Sequence, residues 1–259
     1  LLVNMQPSGK HLGESFYRAG GVPAVMGELA AAGKLNLDAA TVSGVPIGEQ
    51  IAEVRSSDLD VIRAYDEPLK QKAGLLVLSG NLFDSALMKT SVISADFQKR
   101  FLSTPGEEGV FRAKAVVFEG PEDYHERLNN PELEIDDHTI LFIRGVGCVG
   151  YPGSAEVVNM QPPDAVIKSG IDHLPTVGDG RQSGTSESPS ILNASPESVV
   201  GGGLALLRTG DAVCLDLNAR TLNAEVDVEE WEARRKAWSP PEIINQTPWQ
   251  EIYRDNVGQ

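Results

Sequence analysis

The chain has 259 residues, of which 41% are hydrophobic, enough for one large domain or two small ones with a real core. Its formal net charge of −15 repels nucleic-acid phosphates and anionic lipid, so neither is expected as a general partner. Two cysteines far apart, Cys148 and Cys214, make no disulfide framework and fit a reducing, cytoplasmic setting.

Residues 1–35 read as helical. Pro7-Ser8-Gly9 marks a turn, and His11 to Ala19 and Val22 to Ala32 have helical spacing on either side of Gly20-Gly21. Gly33 is the expected stop, and Leu12, Phe16, Val25, Met26 and Leu29 are the expected buried side. This segment is expected to be the remnant of a preceding helical domain. Ala40 to Gly44 reads as a short strand and Ile47 to Val54 as a short helix.

Strand signals then dominate. Gly74 to Leu78, Ala115 to Phe118 and Thr139 to Ile143 are continuous apolar runs of strand length, the pattern of strands covered on both faces. A charged helix, Pro121 to Leu128, lies between the last two, giving a β-α-β pattern. Asp164 to Lys168 reads as a helix, and Leu174 to Val177 and Ser190 to Leu192 as strands.

Ser195-Pro196-Glu197 has the form of a helix start, with a hydroxyl cap, Pro at the first helical position and an acid near the positive dipole end. Gly201-Gly202-Gly203 ends that helix. Val213 to Leu217 and Thr221 to Val226 read as a hairpin around Asn218-Ala219-Arg220. Asp227 and Glu230 have capping-box spacing for a helix running to about Trp238, stopped by Ser239-Pro240-Pro241. The remainder is a tail expected to pack through Trp249 and Tyr253.

The expected class is α/β: a strand-rich, barrel-like domain with flanking helices over 36–240, preceded by the short helical segment and followed by the tail 241–259. No Gly-x-Gly-x-x-Gly lies between a strand and a helix, which argues against a dinucleotide site. No apolar run of about 18 residues is present. The chain opens Leu1-Leu2-Val3 without a basic, apolar leader or an initiator Met, as expected of the interior of a longer protein.

Two Gly-bounded segments carry chemistry. In Gly150-Tyr151-Pro152-Gly153-Ser154-Ala155-Glu156, a carboxylate follows a buried strand. Glu156 there suits a hard, oxygen-seeking cation such as Mg²⁺, or caps a following helix. In Asp179-Gly180-Arg181-Gln182-Ser183-Gly184-Thr185, Ser183 sits in a turn bounded by glycines. A serine becomes reactive only beside a cation, a general base or focused N–H dipoles; otherwise it bonds its own backbone. The histidines His11, His125, His138 and His173 lack metal spacing. Lys89 and Lys114 either meet an anionic substrate or stay solvated. Cys148, beside the first segment, is a ligand, a redox-sensitive thiol or a small hydrophobe.

These segments, with Pro7-Ser8-Gly9-Lys10, Phe16-Tyr17-Arg18-Ala19-Gly20-Gly21, Gly80-Asn81-Leu82, Ala115-Val116-Val117-Phe118-Glu119 and Ser195-Pro196-Glu197, occur in an order that resembles the C-terminal part of the dihydroxy-acid and sugar-acid dehydratases. The likeness runs from about Asn4 to Trp238. The Tyr151-Pro152-Gly153 form and the run Ser190 to Glu197 look more like the sugar-acid branch.

The resemblance implies a C-terminal α/β domain built around a β-barrel. It also implies loss of water from a 2,3-dihydroxy acid to give a 2-keto acid, using an iron–sulfur cluster and Mg²⁺. Ser183 matches the family's proton-abstracting serine, Glu156 one Mg²⁺ carboxylate, and Thr185 a substrate contact. The family's cluster cysteines and remaining Mg²⁺ ligands lie in an N-terminal domain, and two thiols cannot hold a cluster alone. The chain departs from the family at Cys148, commonly Pro, and Ser154, commonly Met. The intact protein is expected to be a homo-oligomer acting on a small sugar acid, and this piece by itself inactive. The competing expectations are a non-catalytic binding or assembly module that kept the barrel, and a hydrolase built on Ser183 with a nearby His and acid.

Overall fold

The computed structural model describes residues 1–6, 9–71, 73–152, 160–181, 188–243 and 247–259. The chain forms two compact units, Leu1–Gly74 and Leu75–Gln259.

In the first unit, helices α1 (Gly13–Arg18), α2 (Gly21–Ala31) and α3 (Ile47–Ile51) are joined by turns. The helices fall where the spacing predicts, and the buried face does so only in part, through Phe16 and Val25. Leu12 is exposed, whereas Gly21, Ala24 and Gly27 are the buried positions of α2. The reason is close approach: a Cβ on Gly27 would run into the Val54 carbonyl oxygen. Ala19, Ala24, Val61 and Ile62 form this unit's small core, with Phe16, Val25 and Val54 packed against it. Ala40 makes only an isolated bridge to Pro46, so the expected strand there is a turn.

The second unit contains β1 (Leu75–Gly80), β2 (Phe83–Lys89), α4 (Ala95–Phe101), β3 (Val110–Phe118), α5 (Pro121–Arg127), β4 (Thr139–Ile143), α6 (Asp164–Lys168), β5 (Thr176–Gly178), β6 (Ser190–Ser195), β7 (Ala212–Asp216), β8 (Thr221–Ala224), α7 (Val228–Ala237) and α8 (Pro248–Asn256). Among the described residues, its strands close into a barrel in the order β1-β2-β6-β5-β4-β3-β7-β8. The expected barrel-like class is thus observed. Pairs β3–β4, β4–β5 and β5–β6 are parallel. The hairpins β1–β2 and β7–β8 are antiparallel, and Ser79 against Thr221 closes the ring.

The continuous apolar runs have the predicted cause. On β3 and β4, Ala115, Val117, Ile140 and Phe142 point into the barrel core. Val116, Phe118, Leu141 and Ile143 point outward into a second core with Tyr124, Leu133 and Leu174. Every residue of β4 is buried. An eight-stranded barrel is about wide enough for side chains to fill it, and Leu78, Met88, Ile191, Val213, Leu215 and Leu222 do so here.

Three local expectations are corrected. Ser195 caps no α-helix; the 3-10 turn Ser198–Val200 follows instead, with Glu197 at its N-cap making no side-chain cap bond. Asp227 opens α7 without a side-chain cap, and the Glu230 side chain meets Arg234 and Arg208 in place of a capping box. Residues 248–256 are helical, with a full capping box between Thr247 and Gln250 and with Trp249 exposed. No described helix is long and apolar enough to cross a membrane.

Candidate active site

Four parallel neighbours, β3 to β6, end at the same side of the barrel. The segments after them are Glu119-Gly120, Arg144 to Pro152, Asp179-Gly180-Arg181 and Pro196 to Ser198. Ile143 pairs with Gly178 at the last register of β4 and β5, so both Gly-rich segments leave the barrel from neighbouring strands at one mouth. Carboxyl ends of parallel strands are where such scaffolds hold ligands.

Two buried carboxylates organise this mouth. Asp179, 3% exposed, accepts at Oδ2 from Gly145 N–H and Ser198 N–H, each 3.0 Å away, and from the Ser198 hydroxyl at 2.6 Å. Its Oδ1 accepts from Val146 N–H at 3.0 Å. Glu197, 5% exposed, accepts from Val149 N–H at 2.9 Å and Gly150 N–H at 3.0 Å through Oε2. The Gln259 amide donates to Glu197 Oε1 at 3.2 Å. Gly147 lets the Glu197 side chain pass so closely, since a Cβ there would strike its carboxyl carbon.

The loop's carbonyls are held from the other side. Arg254 Nε donates to Val149 O at 2.7 Å and Nη2 to Gly150 O at 3.3 Å. Arg144 forks onto Glu119 and donates Nη1 to Leu204 O and Leu207 O, fixing the root of the same loop. Gly180 O accepts from Asn193 N–H at 2.9 Å. Asn193 sits at φ 52, a left-handed position that Asn tolerates.

A cavity of about 420 Å³ opens here, bordered by Cys148, Arg181, Asn193, Ser195, Tyr253 and Gln259. Cys148 is exposed, and its hydrogen bond with Tyr253 raises that phenol's pKa. Arg181 adds a cation to the rim, which an anionic substrate would need against a chain of net charge −15.

Glu156, Ser183 and Thr185 lie outside the described residues, as does Ser154. Their described stems, Gly150-Tyr151-Pro152 and Asp179-Gly180-Arg181, stand at the mouth. Lys114 does not. It lies midway along β3, pairs with Thr139 at the opposite end of β4 and donates to Leu133 O and Glu134 O. His11, His138 and His173 each face an aspartate, Asp60, Asp137 and Asp172 respectively.

The roles of Asp179 and Glu197 were missed in the sequence. Asp179 is part of the second Gly-rich segment, but its partners lie 19 to 34 positions away, and nothing local signals them. Glu197 read as a helix-start acid because Ser-Pro-Glu has that form.

Among the described residues, no group of three or more His, Cys, Asp or Glu could hold a metal ion. Cys214 lies on β7, its thiol pKa raised by burial, and Cys148 follows β4. Asp179 and Glu197 already bind N–H donors. Neither an iron–sulfur cluster nor a complete Mg²⁺ site therefore fits the described donors.

The family signature for the dihydroxy-acid/6-phosphogluconate dehydratase C-terminal region matches residues 60–259, and that for the N-terminal region matches residues 1–50. D-xylonate dehydratase of Caulobacter vibrioides is 58% identical over the whole chain, which covers 44% of that protein. L-arabinonate dehydratase of Rhizobium leguminosarum bv. trifolii is 36% identical over 99% of the chain and 42% of its own length. Dihydroxy-acid dehydratase of Ignicoccus hospitalis is 35% identical over 92% of the chain and 41% of its own length. The chain thus spans less than half the length of the curated relatives it matches. With the barrel, the mouth and the signature over 60–259 in agreement, this chain belongs to the dihydroxy-acid/6-phosphogluconate dehydratase family.

Proposed function

We propose that the protein containing this chain is a hydro-lyase that converts a 2,3-dihydroxy sugar acid to a 2-keto-3-deoxy acid. In this reading Ser183 Oγ, deprotonated, takes the proton from C2. The electron pair forms the C2–C3 double bond, the C3 hydroxyl leaves as water with one added proton, and the enol tautomerises to the ketone. Thr185 contacts the substrate, and Glu156 supplies a carboxylate at the other segment. The distal hydroxyls occupy the cavity bordered by Arg181 and Asn193.

The observation that carries this reading is the common exit of the two stems from parallel neighbours β4 and β5, tied together through Asp179. In this reading the hydroxyl and the carboxylate act at that one mouth. The 58% identity to a protein named for D-xylonate favours a five-carbon sugar acid as substrate. The family's iron–sulfur cluster and Mg²⁺ belong to the proposal only as groups held beyond the described donors, with Glu156 as this chain's contribution. The 259-residue chain alone is accordingly inactive.

The test is turnover of D-xylonate by the full-length protein, read as 2-keto acid formed. Ser183→Ala should lower kcat at least about 100-fold, the low end for loss of a positioned base, with far-UV circular dichroism unchanged. Full turnover in that variant would remove Ser183 as the base. Absence of turnover in the wild-type protein with every candidate acid would favour the binding-module alternative.

A further inference from the structure

The geometry points to Asp179 and Glu197 as positioning residues that set the height and direction of the loop 144–152 against the neighbouring stem Asp179-Gly180-Arg181. The inference rests on the dehydratase reading above and adds residues to its site.

A loop of nine residues between a buried strand and a Gly-rich segment would ordinarily spend its N–H groups on water. Here they converge inward on two carboxylates. Asp179 stands at the root of the Ser183 segment, and its Oδ1 and Oδ2 take the Val146 and Gly145 N–H groups at the start of the neighbouring loop. Glu197, arriving from the end of β6, takes the Val149 and Gly150 N–H groups at its far end. Ser198 locks the two anchors together, giving its N–H and hydroxyl to Asp179 and accepting from Gly145 N–H at 3.0 Å.

Among the described residues, the partners of both carboxylates are backbone N–H groups, the Ser198 hydroxyl and the Gln259 amide. A buried carboxylate without a cation is costly, and focused N–H donors are its compensation. Such a constellation restricts the loop, because its N–H groups are satisfied only while they face these carboxylates. The strands thereby transmit their register to the mouth: Asp179 follows Gly178, the last residue of β5 in register with β4. Arg254 holds the outer carbonyls of the same loop, so the loop is gripped on both edges. Catalysis between two segments is sensitive to displacements of about 1 Å, which can cost about 100-fold in rate.

The experiment compares Asp179→Asn and Glu197→Gln with wild type and Ser183→Ala in the full-length protein. Each amide keeps the shape but turns an NH₂ toward an N–H donor. Turnover should fall in kcat by about 10- to 100-fold, with KM within threefold. Amide exchange should quicken at least about tenfold at Gly145 and Val146 in the first variant and at Val149 and Gly150 in the second. Leu141 and Val117 in the strands should keep wild-type protection. Ser198→Ala, which removes one hydroxyl, serves where either amide variant does not fold, and should show a smaller kcat loss with faster exchange at Gly145. If Ser183→Ala is inactive while Asp179→Asn and Glu197→Gln keep wild-type kcat, the positioning role is overturned. If Ser183→Ala stays active, Ser183 is not the base; if the wild-type protein turns over no candidate acid, the dehydratase reading itself fails. Faster exchange with unchanged kcat would reduce both carboxylates to a structural role.

Discussion

The pair Arg234–Asp211 offers a direct measure of how the barrel holds the helix behind its mouth. Arg234 on α7 donates Nη1 to Asp211 Oδ2 at 2.6 Å and Nη2 to Oδ1 at 3.0 Å, a two-pronged contact. The side chains are 9% and 11% exposed, so water screens them little. Asp211 raises the guanidinium pKa by hydrogen bonding to the charged form. Asp211→Ala leaves Arg234 with Glu230 Oε1 at 2.8 Å and Leu206 O at 3.1 Å. Breaking a buried pair by removing one partner costs about 3–5 kcal/mol. Glu230 is 45% exposed and retains a contact of less than about 1 kcal/mol, which places the expected loss near 3 kcal/mol. Trp231 and Trp238 flank Arg234 on or beside α7, so urea unfolding followed by tryptophan fluorescence reads this helix directly. With a slope near 2 kcal/mol/M, the midpoint should fall by about 1.5 M. Arg234→Met and the double variant complete a cycle, with about 2 kcal/mol of coupling expected. A single-variant loss under about 1 kcal/mol, or strict additivity, would refute the assignment of an effectively buried pair.

Asp123→Asn should cost about 1 kcal/mol at pH 7, a partly screened pair. Arg127, bonded to Asp123 at 2.5 Å, holds that carboxyl below its usual range, so its contribution is present above about pH 4 and lost as pH falls through the lowered value. The difference between variant and wild type, read from urea midpoints, should vanish in strong acid; a pH-independent gap would contradict this. Gly180→Ala should destabilise by about 1–3 kcal/mol, because the new Cβ would press on the Val146 carbonyl oxygen and stand 2.8 Å from Val146 Cγ2. A thermal midpoint equal to wild type would show that the stem yields freely.

The barrel was legible wherever a strand is buried on both faces. Thr139 to Ile143 and Ala115 to Phe118 carry uninterrupted apolar runs because two cores claim alternate residues. The β7–β8 hairpin was legible for a local reason, its turn residues Asn218-Ala219-Arg220. Strand β2 was not read. Asp84, Ser85 and Lys89 break its apolar signal, and only Phe83, Ala86 and Met88 are buried deeply. Its place is fixed by β6, a partner more than a hundred positions away, through pairs such as Met88 with Ile191. Closure of the ring by Ser79 and Thr221 is equally invisible in any local window.

The same distinction governs the mouth. Glycines announce that the backbone turns at Gly150 and at Gly180, since their permissive φ and small size are local properties. Which acid receives the N–H groups of such a turn is a long-range property. Glu197 meets Val149 across 48 positions and Asp179 meets Gly145 across 34. A Ser-Pro-Glu sequence suits a helix cap and also suits a bend that carries the carboxylate to another strand's loop; propensity does not separate the two. Burial does. An acid at 5% exposure must satisfy its lone pairs within the protein, and at this barrel's mouth the available donors are the amides of the neighbouring loop. The fold thus turns two ordinary-looking acids into the frame of the mouth, and it does so because parallel strands bring their carboxyl ends, and the N–H groups beyond them, to one place.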